Sequence, residues 1–289
     1  MGVKMKIMVT GGAGFVGTNL IKRLLKDGHE VVSIDNYSTG TEENHQEGCV
    51  YHDVDIRDAV DFDFFMEEPD VIYHLAALPR IQPSFEFPAL TMEIGMLGTM
   101  NILEWARNKE CKVIYAGSSS VHSGHYSNPY TFSKVMGDEL CIAYKKIFGV
   151  NAKICRFYNV YGPHQLTEGE YCTVIGIFER QYANKEPLTI TSDGEQRRDF
   201  THIDDIVDGL ILTSESDDLD LDIIELGRGH NHSINELADM FGKDYPTEYI
   251  AERPGEARIT LCDTSVAKKD IKYNPRVNLK DYIEEVVSE

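Results

Sequence analysis

Lys6-Ile7-Met8-Val9-Thr10-Gly11-Gly12-Ala13-Gly14-Phe15-Val16-Gly17 decides the fold. A short apolar run ends in glycines. Val16, Leu20 and Leu24, with Ile21 and Leu25, then recur at helical spacing, so the order is strand, tight turn, helix. The glycines satisfy Gly-x-x-Gly-x-x-Gly (Gly11, Gly14, Gly17) and Gly-x-Gly-x-x-Gly (Gly12, Gly14, Gly17). Such a turn brings bare backbone up to a pyrophosphate and seats it on a helix N-terminus. Glycine turns between strand and helix are common, so the pattern alone is weak. Glu30–Asp35 supplies context, a second apolar run ending in an acid 18 residues past Gly17. A carboxylate there grips the adenosine ribose of a dinucleotide. It also selects NAD over NADP. A charge about 4 Å from a 2′-phosphate costs on the order of 4 kcal/mol at an effective dielectric near 20.

Working outward, Val71–Leu75, Lys112–Ala116 and Lys153–Arg156 are further buried-strand runs, and Ser84–Arg107 and Tyr130–Phe148 are long helical patterns between them. Repeated strand–helix units predict an α/β, Rossmann-type, doubly wound parallel sheet covered on both faces. Past about Gly162 the elements shorten. The expected division is a dinucleotide-binding domain over 1–162 and a smaller α/β substrate domain over 163–289. The helix near His202–Ser214 and the strand Asp222–Leu226 are candidates to return to the first sheet. Ser233-Ile234-Asn235-Glu236 reads as a capping box, and Asn278 as the cap of the final helix.

Tyr130 and Lys134 stand four apart in Asn128-Pro129-Tyr130-Thr131-Phe132-Ser133-Lys134, and positions i and i+4 share a helix face. An ammonium beneath a phenol favours the phenolate and draws its pKa from about 10 toward neutrality. A general base needs that. With the glycine turn upstream, the pair predicts proton and hydride movement on a carbinol held against a nicotinamide.

Bulk properties narrow the field. The chain has 289 residues, 42% of them apolar, and a net charge of −20. That charge argues against nucleic acid, whose phosphates need a positive surface. It leaves room for an anionic small molecule, because a local arginine pair dominates inside a cleft. Apolar runs are strand-length, so no membrane span is expected. The first residues flow into a strand without signal-peptide or myristoylation features. Six scattered cysteines without Cys-x-x-Cys read as reduced packing residues of a cytoplasmic protein, and ten scattered histidines show no metal-ligand spacing. His74 and His202 read as packing or capping residues, and Asp193-Gly194-Glu195 as a turn.

With these features in place, the chain resembles the extended short-chain dehydrogenase/reductase superfamily, most closely its NAD-dependent nucleotide-sugar epimerase/dehydratase branch, in the manner of UDP-glucose 4-epimerases. The resemblance runs through Asp35-Asn36-Tyr37-Ser38-Thr39-Gly40, Asp55-Ile56-Arg57-Asp58, His74-Leu75-Ala76-Ala77 and Gly117-Ser118-Ser119-Ser120-Val121. It continues through Arg156-Phe157-Tyr158-Asn159-Val160-Tyr161-Gly162-Pro163, Arg197-Arg198-Asp199-Phe200 and Arg253-Pro254-Gly255-Glu256. It implies NAD contacts from Gly11, Gly14, Phe15, Val16 and Gly17, and from Asp35, Asn36, Ser38, Thr39 and Gly40. Asp55 and Ile56 match the adenine contacts, and Leu75, Ala76, Ala77, Tyr130 and Lys134 complete the set. It implies catalysis by Ser118, Tyr130 and Lys134. A nucleotide-diphosphate sugar would be held by Ser118, Ser119 and Asn159, by Arg198 and Arg253 on the diphosphate, and by Glu256 on the nucleotide ribose. It also implies a homodimer paired through the two long helices, with Leu140, Tyr144 and Ile147 as an apolar stripe that equally suits packing on the sheet.

Three departures stand out. The stretch from Ser120 to Tyr130 is shorter than usual in the family, His122 stands where tyrosine is usual, and Gly95 replaces an asparagine. The residues after Ser118 bear on the reaction. Family dehydratases carry Asp-Glu there, decarboxylases a glutamate, and some epimerases a cysteine. This chain has Ser119 and Ser120. The remaining Ser-Tyr-Lys set suits 4-epimerisation through a transient 4-keto sugar. A 4,6-dehydratase, a 4-reductase and a non-catalytic NAD-binding protein remain as alternatives. A small residue at Thr260 would leave room for a 2-acetamido group.

Overall fold

The computed structural model describes residues 3–58, 61–107, 109–216 and 223–288. A seven-stranded sheet forms the centre. Its first six strands in chain order are β1 (Lys6–Thr10), β2 (Glu30–Asp35), β3 (Cys49–Asp53), β4 (Val71–His74), β5 (Lys112–Ser118) and β6 (Asn151–Phe157). Ile223–Leu226 pairs with β6 and closes one edge. The spatial order is Ile223–Leu226, β6, β5, β4, β1, β2, β3, and every pairing is parallel. This is the doubly wound topology predicted from the repeated strand–helix units. Its reversal point between β1 and β4 opens a crevice at the strand carboxyl ends.

Helices on each face bury an apolar core. Leu20, Ile21 and Leu24 of the Phe15–Lys26 helix and Ile203, Ile206 and Leu210 of the Ile203–Glu215 helix cover one side with Ile7, Val9 and Tyr73. Ile102 and Leu103 of Thr99–Ala106 and Cys141 of Pro129–Phe148 cover the other with Met8, Ile72 and Val113. Leu140 and Tyr144 pack toward that second core. Ile147 is 69% exposed, so the stripe divides between sheet and surface. Asp222, the first residue of the expected strand Asp222–Leu226, lies outside the described residues.

The expected helix Ser84–Arg107 is not continuous. Ile81–Glu86 and Pro88–Met92 are separate helices, a π-wound segment spans Glu93–Gly98, and Thr99–Ala106 completes the run. Pro88 is the physical reason. A proline tolerates the first turn of a helix but not its interior, and Phe87 takes φ −121°, ψ 59° at the break.

A smaller C-terminal α/β region surrounds a third core of Tyr161, Ile175, Phe178, Leu188, Leu237 and Ile283. Ser233 and Glu236 form the predicted capping box. Asn278 Oδ1 accepts the Lys280 amide at 2.9 Å. Leu188–Thr191 and Thr247–Ile250 pair in parallel here.

Candidate active site

A cleft of about 730 Å³ runs across the carboxyl ends of the strands and down to the C-terminal region. At one end lies the glycine turn. Gly11 has φ +74°, and a β-carbon on it would fall 2.8 Å from the Ala76 amide nitrogen. The turns after β1 and β4 therefore touch where only glycine fits. A β-carbon on Gly17 would lie 2.2 Å from the Gly11 carbonyl oxygen, so the helix enters directly beneath the turn. Gly14 caps that helix without a side-chain hydrogen bond, and the first-turn amides point to the cleft as an anion cradle.

Asp35 is held by the Ala13 amide on one carboxylate oxygen (2.9 Å) and by the Tyr37 amide on the other (2.9 Å). Burial pushes its pKa up and those two amides pull it down. Asp55 accepts Arg57 (2.7 Å) and Asn36 (2.9 Å), and the Arg57 guanidinium holds its carboxyl down to about 2. Phe15, Val16, Asn36, Ser38, Thr39, Ile56, Leu75, Ala76 and Ala77 line the same end. Gly40 does not. It packs against Ala13, where a β-carbon would sit 2.8 Å from the Ala13 carbonyl carbon. An amide-rich turn, an acid at the end of β2 and a long groove fit a dinucleotide.

In mid-cleft, β5 delivers Ser118 and the Pro129–Phe148 helix delivers Tyr130 and Lys134. The helix start is fixed three ways. Asn128 Oδ1 accepts the Thr131 amide (2.7 Å), Asn128 Nδ2 donates to the Gly255 carbonyl (3.2 Å), and the Tyr130 amide donates to Ser84 Oγ (3.1 Å). Ser118 and Tyr130 line the cleft together, and Ser118 Oγ accepts the Ser120 amide at 3.2 Å.

The electrostatics differ from the expected pairing. Lys134 Nζ donates to the Ala116 carbonyl at 2.7 Å and lies 5.1 Å from the Tyr115 ring centroid. Burial raises the Tyr130 pKa, while Ser118 and the Arg80 cation pull it down and Asp138 pushes it up. The depression expected from Lys134 is not found, because its ammonium is turned onto a carbonyl. Burial instead lowers the Lys134 pKa to about 8, against the opposing pull of Asp138.

At the far end, Arg198 donates toward Glu256 (3.5 Å). Asn159 Nδ2 donates to the Asp199 carbonyl (3.1 Å) and Thr260 Oγ1 (3.0 Å). The buried Asp199 carboxylate gathers this end by accepting amides from Arg228 (2.8 Å), Gly229 (2.9 Å) and Cys262 (3.0 Å). Arg253, Glu256, Ser119 and Thr260 complete the lining. Apart from Gly40, all the candidate residues thus meet in one cleft. His74 bonds Thr10 (2.8 Å) and Thr99 (3.0 Å), and burial holds its pKa down to about 3. His202 caps the Ile203–Glu215 helix. Both play the structural parts expected of them.

Two features were not read from the sequence. Arg80 enters the cleft beside Tyr130. Behind Lys134, Asp138 accepts Arg156 at 2.8 and 2.9 Å, Arg156 donates to Glu225 (3.1 Å), and His122 pairs with the same carboxylate oxygen (2.9 Å). Arg80 stands five residues past the end of the His74-Leu75 strand signal, and Asp138 is i+4 from Lys134. That placement near an established site was the available signal. Gly95 also gains a reason. A β-carbon there would lie 2.8 Å from the Ser133 β-carbon, so glycine lets the π-wound segment close on Tyr130's helix.

Fold and site together are those of a dinucleotide-dependent enzyme. The profile of the NAD dependent epimerase/dehydratase family matches residues 7–227, and the chain belongs to that family, with NAD as its cofactor. A putative UDP-glucose 4-epimerase of Methanocaldococcus jannaschii is 31% identical over 98% of this chain and 97% of its own length. Among solved structures, UDP-glucose 4-epimerase of Thermotoga maritima with UDP-glucose superposes with a TM-score of 0.92 at 26% identity, covering 98% of each chain. The Thermus thermophilus UDP-glucose 4-epimerase complex with NAD gives 0.88 at 28% identity, covering 98% of each chain.

Proposed function

We propose that the protein is an NAD-dependent nucleotide-sugar 4-epimerase that works through a transient 4-keto sugar on a UDP-hexose or UDP-N-acetylhexosamine. One observation carries this choice. Ser118, Tyr130 and Lys134 meet at mid-cleft, and the two residues after Ser118 are serines, which supply no acid for loss of water or carbon dioxide.

The dinucleotide would lie along the glycine turn with its adenosine ribose on Asp35, its adenine near Asp55 and Ile56, and its nicotinamide ribose on Lys134. When bound, it supplies a reversible two-electron acceptor for the sugar's C4. Tyr130 takes the C4 hydroxyl proton and later returns it, with Ser118 bridging to the same oxygen. Ser118 and Arg80 both favour the phenolate against burial. Arg198 and Arg253 clamp the diphosphate with forked donors, beside Asn159, while Glu256 holds the nucleotide ribose. The tether keeps the 4-keto ring in the cleft while it turns over, and the next reduction meets its opposite face. Thr260, a small side chain in the lining, leaves room for a 2-acetamido group.

In this reading residues 1–162, with the returning Ile203–Glu215 helix and Ile223–Leu226 strand, are the dinucleotide-binding unit, and the rest the sugar-nucleotide unit. Ile147 and Phe148, exposed at the end of the Pro129–Phe148 helix, and Leu97 and Met100, exposed on the preceding segment, support a homodimer through these helices. Among the described residues no helix is long and apolar enough to cross a membrane. NMR of NAD-loaded protein with UDP-glucose and UDP-N-acetylglucosamine tests the function. Appearance of the 4-epimer without net NADH supports it. A 4-keto-6-deoxy product or stoichiometric cofactor consumption favours dehydratase or reductase chemistry instead.

A further inference from the structure

Arg80 is built for more than the support of the Tyr130 phenolate that the proposed mechanism gives it. It has φ +90° and ψ 142°, a backbone region that residues with a side chain rarely enter and that is tolerated where function demands it. Its Nε donates to the Tyr171 carbonyl at 2.9 Å, which fixes the guanidinium plane. Among the described residues its terminal nitrogens have no carboxylate partner, whereas the neighbouring cleft cation Arg198 has Glu256. Arg80 lines the cleft with Ser118, Ser119 and Tyr130. The groups whose charge it feels are Tyr130 first, then Cys172 and Glu256. Ser84, on the helix that Arg80 begins, accepts the Tyr130 amide at 3.1 Å, so the cation and the phenol are strapped together.

A half-buried guanidinium without a directly paired carboxylate is a costly arrangement. It fits a planar anion that offers two oxygens. Resting on the proposed function, the site also says where that anion sits. Tyr130 holds the oxygen on C4 of the pyranose, and the next ring atom, C5, carries the exocyclic C6. A cation beside the phenol faces the substituents of C3 and C5, and of these only an oxidised C6 on C5 is anionic, while the diphosphate is met by Arg198 and Arg253. We propose that Arg80 is a specificity residue for a C6 carboxylate, and that the preferred substrate is a nucleotide-linked hexuronate.

The test is calorimetric binding to NAD-loaded protein of UDP-glucuronate, UDP-glucose and UDP, in wild type, Arg80→Gln and Arg80→Lys. The expected result is that wild type binds the uronate about ten- to a hundredfold tighter than the hexose, the range of one charged hydrogen-bonded contact. Arg80→Gln should erase that preference while leaving UDP and UDP-glucose unchanged, and Arg80→Lys should keep part of it. Equal affinity of wild type for the two sugars overturns the proposal. So does a loss in Arg80→Gln shared by UDP and both sugars, which moves Arg80 to the diphosphate and leaves the proposed 4-epimerase function standing.

Discussion

Replacing Lys134 by methionine should make the protein, stripped of NAD, more stable while destroying its activity. Lys134 is 6% exposed, and burial lowers its pKa from 10.5 to about 8. A drop of ~2.5 units corresponds to ~3 kcal/mol of penalty on the charged form. Methionine has similar length and no charge. It gives up the ammonium's hydrogen bond to the Ala116 carbonyl, worth about 2 kcal/mol for a charged donor, so the net expected gain is about 1 kcal/mol at pH 7. The sign fixes the pH dependence. A lysine with a depressed folded pKa carries its full penalty below that value. The penalty fades as pH rises from about 8 toward the unfolded value of 10.5. Urea unfolding of wild type and Lys134→Met at pH 7, 8.5 and 10 measures it, with the variant's advantage shrinking across the series. A variant less stable than wild type at pH 7, or an advantage constant with pH, refutes the reasoning. Such a trade between stability and activity is what a buried functional charge implies.

Further predictions follow from the same geometry. Tyr130→Phe should reduce turnover by at least about 10²-fold, the scale of a lost general base, while NAD binding, followed by fluorescence titration, stays near wild type. Gly17→Ala drives a β-carbon to 2.2 Å from the Gly11 carbonyl oxygen, so NAD affinity should collapse although the distant C-terminal core is untouched. Asp35→Asn should improve NADP binding relative to NAD by more than about tenfold, since a carboxylate near a 2′-phosphate is repulsive; an unchanged ratio in competition binding would contradict the placement of the ribose.

Some parts of this molecule are written locally in the chain and others only in space. The glycine turn, Asp35, the serine at the end of β5 and the Tyr-x-x-x-Lys pair are legible because each is fixed by backbone geometry within a few residues. The Ser233 capping box and the Asn278 cap are legible for the same reason. Pro88 carried a local signal as well, yet the apolar periodicity through Ser84–Arg107 masked it and the break was missed. Strand β3 was missed because Cys49–Asp53 is an edge strand with no fully buried position, so its pattern is faint. The Asp138–Arg156–Glu225 network spans separations of 18 and 69 residues, and only the sheet brings it together. The direction of the Lys134 ammonium was likewise invisible, since spacing places two side chains on one face without saying which acceptor either will take.

The most direct test of the central claim follows an isotope. UDP-hexose carrying deuterium at C4 is incubated with NAD-loaded enzyme in ordinary water until the epimers equilibrate, and both are examined by NMR and mass spectrometry. Oxidation and reduction at C4 within one closed cleft predict that both epimers keep the label at C4 and take up no solvent hydrogen on carbon. Loss of the label to water, or exchange at C3 or C5, would contradict the assignment of Ser118, Tyr130 and Lys134 to chemistry at C4.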